Sequence, residues 1–283
     1  TRTGLKVGHA VAGIFGDNLV KRISGGAWRN HMPTAAKPPV QRTAQGDPVV
    51  YFPTCGARIF GPANSADRQL GDVVQELLIR AGFRPILPEG FDQLCCGQML
   101  ASKGMLEEAE DMSNTLEAAL MKASDNGRIP VIMDASACST RMQKHLAGRL
   151  KLYDFHEFAY DALLPRLMIT KQAGPVALHI NCSVKRTAAD GKLRALLKAC
   201  VEQIVEPAST TCCGFGGDRG FAVPELNQHA LRHIHAELPA GCACGVSTNR
   251  TCEIGLTAET GITYRSVAYL LEACSRKEEL MNC

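Results

Sequence analysis

Two short segments of this chain set two cysteines side by side and follow them with glycine: Cys95-Cys96-Gly97 and Cys212-Cys213-Gly214. Each pair lies between two single cysteines. In the first set 39 residues separate Cys55 from the pair and 41 separate the pair from Cys138. In the second set 29 residues follow Cys182 and 38 precede Cys252. The segments between them alternate. Val49–Phe52 is a short apolar run that reads as a buried strand, and Leu70, Val73, Val74, Leu77 and Leu78 recur at helical spacing. RPILPEG reads as strand, MLEEAEDMSNTLEAALMKA as helix, and RIPVIMDASAC as strand. The second half repeats this order: GPVALHINC strand, GKLRALLKAC helix, VEQIVEPASTTCCG strand, VPELNQHALRHIHAEL helix, a segment bringing Cys252, and a last helix over ITYRSVAYLLEACSRKEEL. Strands alternating with helices predict parallel sheets with crossover helices. The repeated order predicts two α/β units, 46–165 and 170–283, each a small parallel sheet flanked by helices. Residues 1–45 read as a helical segment, to about residue 30, followed by a Pro-rich linker.

Each half thus brings four thiols to the ends of predicted strands. In an open parallel sheet those ends share one edge, where ligands bind. Thiolates are soft ligands that select zinc, copper(I) or iron–sulfur clusters. The adjacent pair bears on the choice. Neighbouring residues of an extended segment point in different directions, so both thiols on one tetrahedral ion would strain the backbone. A cluster of several iron atoms accepts them at different corners. Gly97 and Gly214 let the chain turn tightly and bring backbone N–H groups near sulfur. Cys55, Cys95, Cys96, Cys138, Cys182, Cys212, Cys213 and Cys252 are therefore the candidate metal ligands, with Gly97 and Gly214 as cofactor-binding positions.

Composition narrows the class. The chain has 283 residues and thirteen cysteines, an odd number that fits a disulfide scaffold poorly. A reducing compartment is the working assumption, which makes metal ligands or catalysts of such cysteines. Apolar residues make up 46% and aromatics only 5%, so the core is expected to be aliphatic. A net charge of +3 is too mild to argue for nucleic acid. There is no apolar run of transmembrane length and no secretory signal, which points to a cytoplasmic protein, if peripheral then on the inner face of the membrane. The chain begins with Thr, as a fragment or cleaved product would.

The paired pattern resembles the cysteine-rich CCG domain. That domain occurs in pairs in the cysteine-rich subunit of heterodisulfide reductase, in the iron–sulfur subunit of glycolate oxidase, in a lactate-utilisation protein, and at the C-terminus of FAD-linked D-lactate dehydrogenases. The resemblance covers residues 46–283. TCCGFGGDRGF, TCEIGL and ITYRSVAYLLE, with the N-terminal stretch through PTAAKPPV, are most similar to the D-lactate dehydrogenase branch. It implies the iron–sulfur part of an oxidoreductase, an electron-transfer module holding an iron–sulfur cluster of the 4Fe-4S kind, with zinc in one repeat as a mixed case. FAD would sit on a separate domain or subunit, beside a ferredoxin-like domain. Electrons would pass from flavin towards a quinone or cytochrome. In heterodisulfide reductase each repeat ends in Cys-x-x-Cys. Here Ala135 and Asn249 stand where its first cysteine would be, a departure from the five-thiolate cluster and from disulfide-reducing chemistry. The alternatives are a heterodisulfide-reductase-like thiol/disulfide subunit and a zinc-stabilised docking module.

Other candidates are weaker. GFGGDRG lacks the third glycine of a dinucleotide loop, since position 219 is Arg219. Arg219 is expected either to shield cluster charge or to pair with Asp218. His179 reads as a core histidine that could serve a thiol site, and His156 as structural or exposed, on an amphipathic helix. His229 and His233 have zinc-binding spacing on one predicted helix but no Glu in an H-E-x-x-H pattern. Cys200, Cys242, Cys244, Cys274 and Cys283 lie outside the repeat and read as buried apolar groups. No Ser–His–Asp arrangement or carboxylate pair stands out, so no catalytic residue is assigned.

Overall fold

The computed structural model describes residues 2–275 apart from 26, 29–31 and 65. Its frame is two four-stranded sheets. Strands β1 (Asp47–Phe52), β2 (Phe83–Ile86), β3 (Val131–Met133) and β4 (Leu152–Asp154) form the first, and β5 (Gln172–Leu178), β6 (Val201–Val205), β7 (Cys244–Ser247) and β8 (Thr263–Ser266) the second. The strand orders are β2-β1-β3-β4 and β6-β5-β7-β8, and every pairing is parallel. This is the expected α/β architecture, twice over. The inner strands are apolar on both faces because helices cover both: Val49, Val50, Tyr51 and Phe52 are all buried, as is all of β3. Each such apolar side chain contributes about 1.5–3 kcal/mol by leaving water.

The helices of the first half are α1 (Arg2–Phe15), α2 (Asp17–Ile23), α3 (Cys55–Ile59), α4 (Leu70–Arg80), α5 (Gln98–Ala101), α6 (Leu106–Ala123), α7 (Ser136–Leu146) and α8 (Phe155–Phe158). Those of the second half are α9 (Cys182–Thr187), α10 (Asp190–Cys200), α11 (Arg219–Ala222), α12 (Pro224–Leu231), α13 (Ile234–Glu237), α14 (Arg250–Thr260) and α15 (Val267–Cys274). The stripe Leu70, Val73, Val74, Leu77 and Leu78 lies wholly in the core, as its spacing predicts. Among the described residues, no helix is long and apolar enough to cross a membrane.

Several elements differ from the expectation. The N-terminal helix is broken at Gly16 (φ 84°), and Trp28 packs with Leu5 and Val20, its Nε1 donating to Asp17 Oδ1 at 2.9 Å. The segment around His156 opens with strand β4, and Thr263–Ser266 is strand β8 rather than the start of a helix. β6 stops at Val205, well before Cys212, because Pro207 offers no N–H to extend the ladder. The helix read over 223–238 is two short helices, so His229 and His233 are not on one helical face.

The two halves are not separate bodies. One apolar core runs through both, from Val49 and Leu77 to Leu196 and Leu271. The carboxyl ends of the sheets meet: Ser136 N donates to Thr248 O at 3.0 Å, Ser136 Oγ to Thr248 Oγ1 at 2.7 Å, and Ala137 N to Asn249 Oδ1 at 3.1 Å. Arg250, buried in this contact, pairs with Glu253 at 2.8 Å and donates to the Gly61 carbonyl of the first half.

Candidate metal centre

In each sheet the strand order reverses beside its first strand, between β1 and β3 and between β5 and β7. A crevice opens at such a switch point, outside the carboxyl ends of the two strands. The single cysteines stand there. Cys55 and Cys182 are the first residues of α3 and α9, reached from β1 and β5, and Cys138 and Cys252 lie in the first turn of α7 and α14, reached from β3 and β7. The adjacent pairs arrive on loops that follow β2 and β6. The thiols are thus in helix first turns and loops rather than at strand ends as such, but the sheets still deliver four to each crevice.

In the first half the four thiols stand close enough to shift one another's titration: Cys55 with Cys95 and Cys138, and Cys96 with Cys95 and Cys138. Cys96 and Cys138 are buried, and Cys55 and Cys95 are half-buried. In the second half Cys213 Sγ is 3.0 Å from Cys252 Sγ, and Cys212 shifts, and is shifted by, Cys182 and Cys213. Cys182 feels Cys252 through its charge, and Cys182 and Cys212 are exposed. All twelve described cysteines are free thiols; Cys283 lies outside the described residues. Among the described residues no three His, Cys, Asp or Glu side chains converge as ligands of a single metal ion would.

In each half one thiol is drawn below its ordinary value and its neighbours rise. Hydrogen bonds from Cys55 and Cys96, with the Gly97 N–H and Arg58, pull Cys95 down to about 2 despite its burial. Contacts from Cys182 and Cys213, with the Gly214 N–H, do the same for Cys212. The donors move the other way. Cys55 rises to about 11, since its contact with Cys138 lowers it but Cys95 and burial outweigh that; Cys96 rises to about 12 for the same reasons. Cys138 is pushed up by Cys55 and Cys96, and Cys213 by Cys212 and Cys252.

The glycine after each pair is required by geometry. Gly97 has φ 76° and Gly214 φ 68°. A Cβ at Gly97 would stand 2.2 Å from Ala109 O of α6, and one at Gly214 2.4 Å from Leu226 O of α12. In this turn Gly97 N donates to Cys95 Sγ and Gly214 N to Cys212 Sγ, each at 3.4 Å. The surrounding contacts repeat as well. Ser113 Oγ donates to Cys96 O at 3.0 Å, and Asn227 Nδ2 to Cys213 O at 2.6 Å. Arg58, three residues after Cys55, donates to Leu94 O at 2.5 Å, and Lys185, three after Cys182, to Thr211 O at 3.2 Å. A cation therefore stands beside each thiol pair and offsets negative charge there.

The two loops also touch. Lys103 Nζ is 2.6 Å from Asp218 Oδ2, and Arg219 Nη2 donates to Ser102 O at 2.7 Å. Arg219 thus bridges the repeats instead of pairing with Asp218. The remaining described cysteines are core residues: Cys274 Sγ donates to Cys200 O at 3.1 Å, and Cys242 and Cys244 are buried.

The family model of the cysteine-rich CCG domain matches residues 49–143 and 176–257, more than half of the chain and once in each half. The chain belongs to the CCG cysteine-rich domain family. Its CCG repeats are the two units seen here. The chain is similar to lactate utilization protein A 2 of Bacillus mycoides, 27% identical over 223 residues, covering 71% of this chain and 89% of that protein. Lactate utilization protein A of Geobacillus kaustophilus is 26% identical over 206 residues, covering 64% of this chain and 83% of its own. Among solved structures, aspartate racemase of Picrophilus torridus aligns over 81% of this chain and 92% of its own at 10% identity, with a TM-score of 0.36, too low to carry an argument.

The donor set fits a thiolate-bound metal group. Eight free thiols fall into two sets, each with a neighbouring cation and a backbone N–H on sulfur. Reading residue types missed one feature that a position-by-position comparison of the repeats exposes. Three residues before Cys55 stands Phe52, and three before Cys182 stands His179; five before Cys138 stands Met133, and five before Cys252 stands Ser247. A buried apolar pair in one half is replaced by a buried polar pair in the other.

Proposed function

We propose that this chain is an iron–sulfur electron-transfer module. It works with a flavin-bearing domain or subunit that oxidises a D-2-hydroxy acid, D-lactate being the first candidate, and with a ferredoxin-like domain. Electrons leave it towards a quinone or cytochrome. The observation that carries the reading is the twice-repeated four-thiol crevice at a sheet switch point. Relatives named for lactate utilization support the choice of substrate.

Cys55, Cys95, Cys96 and Cys138 would hold one group, and Cys182, Cys212, Cys213 and Cys252 the other. An iron–sulfur cluster supplies reversible one-electron storage when bound. The chain's own contribution is to present thiolates without rearrangement, to tune them with the N–H groups of Gly97 and Gly214, and to offset charge with Arg58 and Lys185. The first crevice, with its deeper burial, keeps water further from its thiols than the second.

The test is iron, zinc and acid-labile sulfide content of anaerobically purified and reconstituted protein, with its visible spectrum. Matching iron and sulfide with a broad visible absorption is the expected result, lost site by site on Cys96→Ser and Cys213→Ser. Zinc alone, with no visible band, would replace this reading by a zinc-stabilised docking module.

A further inference from the structure

Charge is unevenly spread along this chain. Residues 1–46 hold seven Lys and Arg and a single acid, Asp17, while the whole chain is only +3, so the remainder is net negative. Such an asymmetry points to an anionic partner for the basic part. Apolar surface accompanies the charge. Helix α1 is fixed to the body by one stripe: Leu5 and Gly8 are buried, and a Cβ at Gly8 would clash with the Trp28 ring. His9 meets that ring edge-on at 4.8 Å, and its Nε2 lies 3.0 Å from Pro33 O. Helical phase then turns Val7, Ala10 and Ile14 to the opposite side, and Phe15 joins them at the end of the helix. Val7 is 57% exposed, Ile14 74%, Phe15 66%, and Ile23, at the end of α2, 73%. A surface helix ordinarily carries polar residues on that side. The neighbouring charges are cations: Lys6 next to Val7, and Lys21 and Arg22 before Ile23, are all exposed. Asp17, the one acid, is engaged by Trp28 Nε1.

We infer that α1 and α2 form a docking face for an anionic lipid bilayer. The helices lie in its interface, with Val7, Ile14, Phe15 and Ile23 towards the acyl chains and Arg2, Lys6, Lys21 and Arg22 towards the headgroups. The 14 residues of α1 are too few to cross a bilayer, which takes about 20. Nucleic acid would meet the cations but leave the apolar stripe in water. An uncharged apolar partner would bury the stripe but leave the cations unused. A bilayer with anionic headgroups uses both, and reversible surface binding of this kind takes both signals. Each Lys or Arg held at such a surface strengthens binding about fivefold. The net-negative remainder of the chain is repelled by the same headgroups, which turns the N-terminal face towards the lipid.

The experiment sediments the full chain with vesicles of phosphatidylcholine alone and of phosphatidylcholine mixed equally with phosphatidylglycerol. It reads lipid binding whatever the thiols hold, so its outcome is separate from that of the metal reading. The expected result is binding to the mixed vesicles, little binding to phosphatidylcholine alone, and release by added salt. Ile14→Ser combined with Phe15→Ser is expected to weaken binding by at least about tenfold. Lys21→Gln combined with Arg22→Gln is expected to weaken it about 25-fold. Trp28, the chain's one tryptophan, packs under these helices, so its unchanged emission in each variant shows that they remain seated. Absence of binding to the mixed vesicles, equal binding to both kinds, or binding indifferent to Ile14→Ser with Phe15→Ser would overturn the proposal. A dimer that the same two substitutions dissolve, with vesicles ignored, would overturn it in favour of a contact between two copies of the chain.

Discussion

The two halves share a frame but differ in what surrounds it. Both have a glycine at positive φ after the cysteine pair, a helix carbonyl against that glycine, a held carbonyl on the second cysteine, and a cation three residues after the first thiol. They part company around the thiols. The first set is the more buried, and the second has two exposed thiols. The first is backed by Phe52 and Met133, the second by His179 and Ser247. The lesson is that the placement of the thiols is carried by the repeated backbone, whereas their surroundings are set by side chains that vary between copies.

The largest expected effect tests an asymmetry at the interface. Two residues before Cys252 stands Arg250, and two before Cys138 stands Ser136. Arg250→Ala leaves Glu253 buried without its partner and should cost about 3–5 kcal/mol. Ser136→Ala removes the hydroxyl's bond to Thr248 and its support of Asp154, and should cost about 1–2 kcal/mol. Denaturant midpoints of the two variants measure the gap, and equal losses would mean that the interface is less lopsided than its contacts.

Next comes the shared turn. Gly97→Ala and Gly214→Ala each meet a carbonyl at close range with φ positive, so each should lose on the order of 3 kcal/mol. The losses should match within about 1 kcal/mol. A clear difference in thermal unfolding would break the equivalence of the two loops.

The smallest effect concerns helix caps. Asp154 caps α8 with a full capping box and pairs with His156, Nδ1 to Oδ1 at 2.6 Å; Ser266 caps α15 with a neutral hydroxyl. Burial alone would raise Asp154, but His156, Ser136 and Ser139 hold it below its usual value of 3.8. Burial alone would lower His156, but Asp154 holds it above 6.5. Asp154 thus adds stability fully above 3.8, lost as pH falls through its lower folded value. His156 adds stability fully below 6.5, lost as pH rises through its higher folded value. Asp154→Ala should cost about 2 kcal/mol between those limits and Ser266→Ala about 1 kcal/mol. Only the first loss should change with pH, as unfolding curves at pH 5 and pH 8 would reveal.

Much of the fold was legible. The alternation of apolar runs with helical stripes located β1, β2, β3, β5 and α4, and the cysteine spacing picked out thiols that stand in helix first turns and loops beside the two switch points. β4 and β8 were not legible, because Leu152–Asp154 and Thr263–Ser266 run straight into capped helices with no turn between. A short strand joined directly to a helix has no separate period to read. The break between α12 and α13 escaped notice because the local propensity is continuous there. His179 read as an ordinary core histidine. Its place opposite Phe52 follows from the repeat, but its unmatched Nε2 is a matter of tertiary packing.

The parallel sheets have a consequence for the order of events when the chain first folds. β1 must wait for β2 and then β3 to emerge from much later segments, and Cys138 cannot meet Cys55 until β3 has docked. Long-range parallel pairing is slow. During that interval the thiols are unburied and unpaired, as exposed to oxidants as to metal. Closure of the sheets is therefore also what shelters the thiols, and reductant present while they close protects all eight.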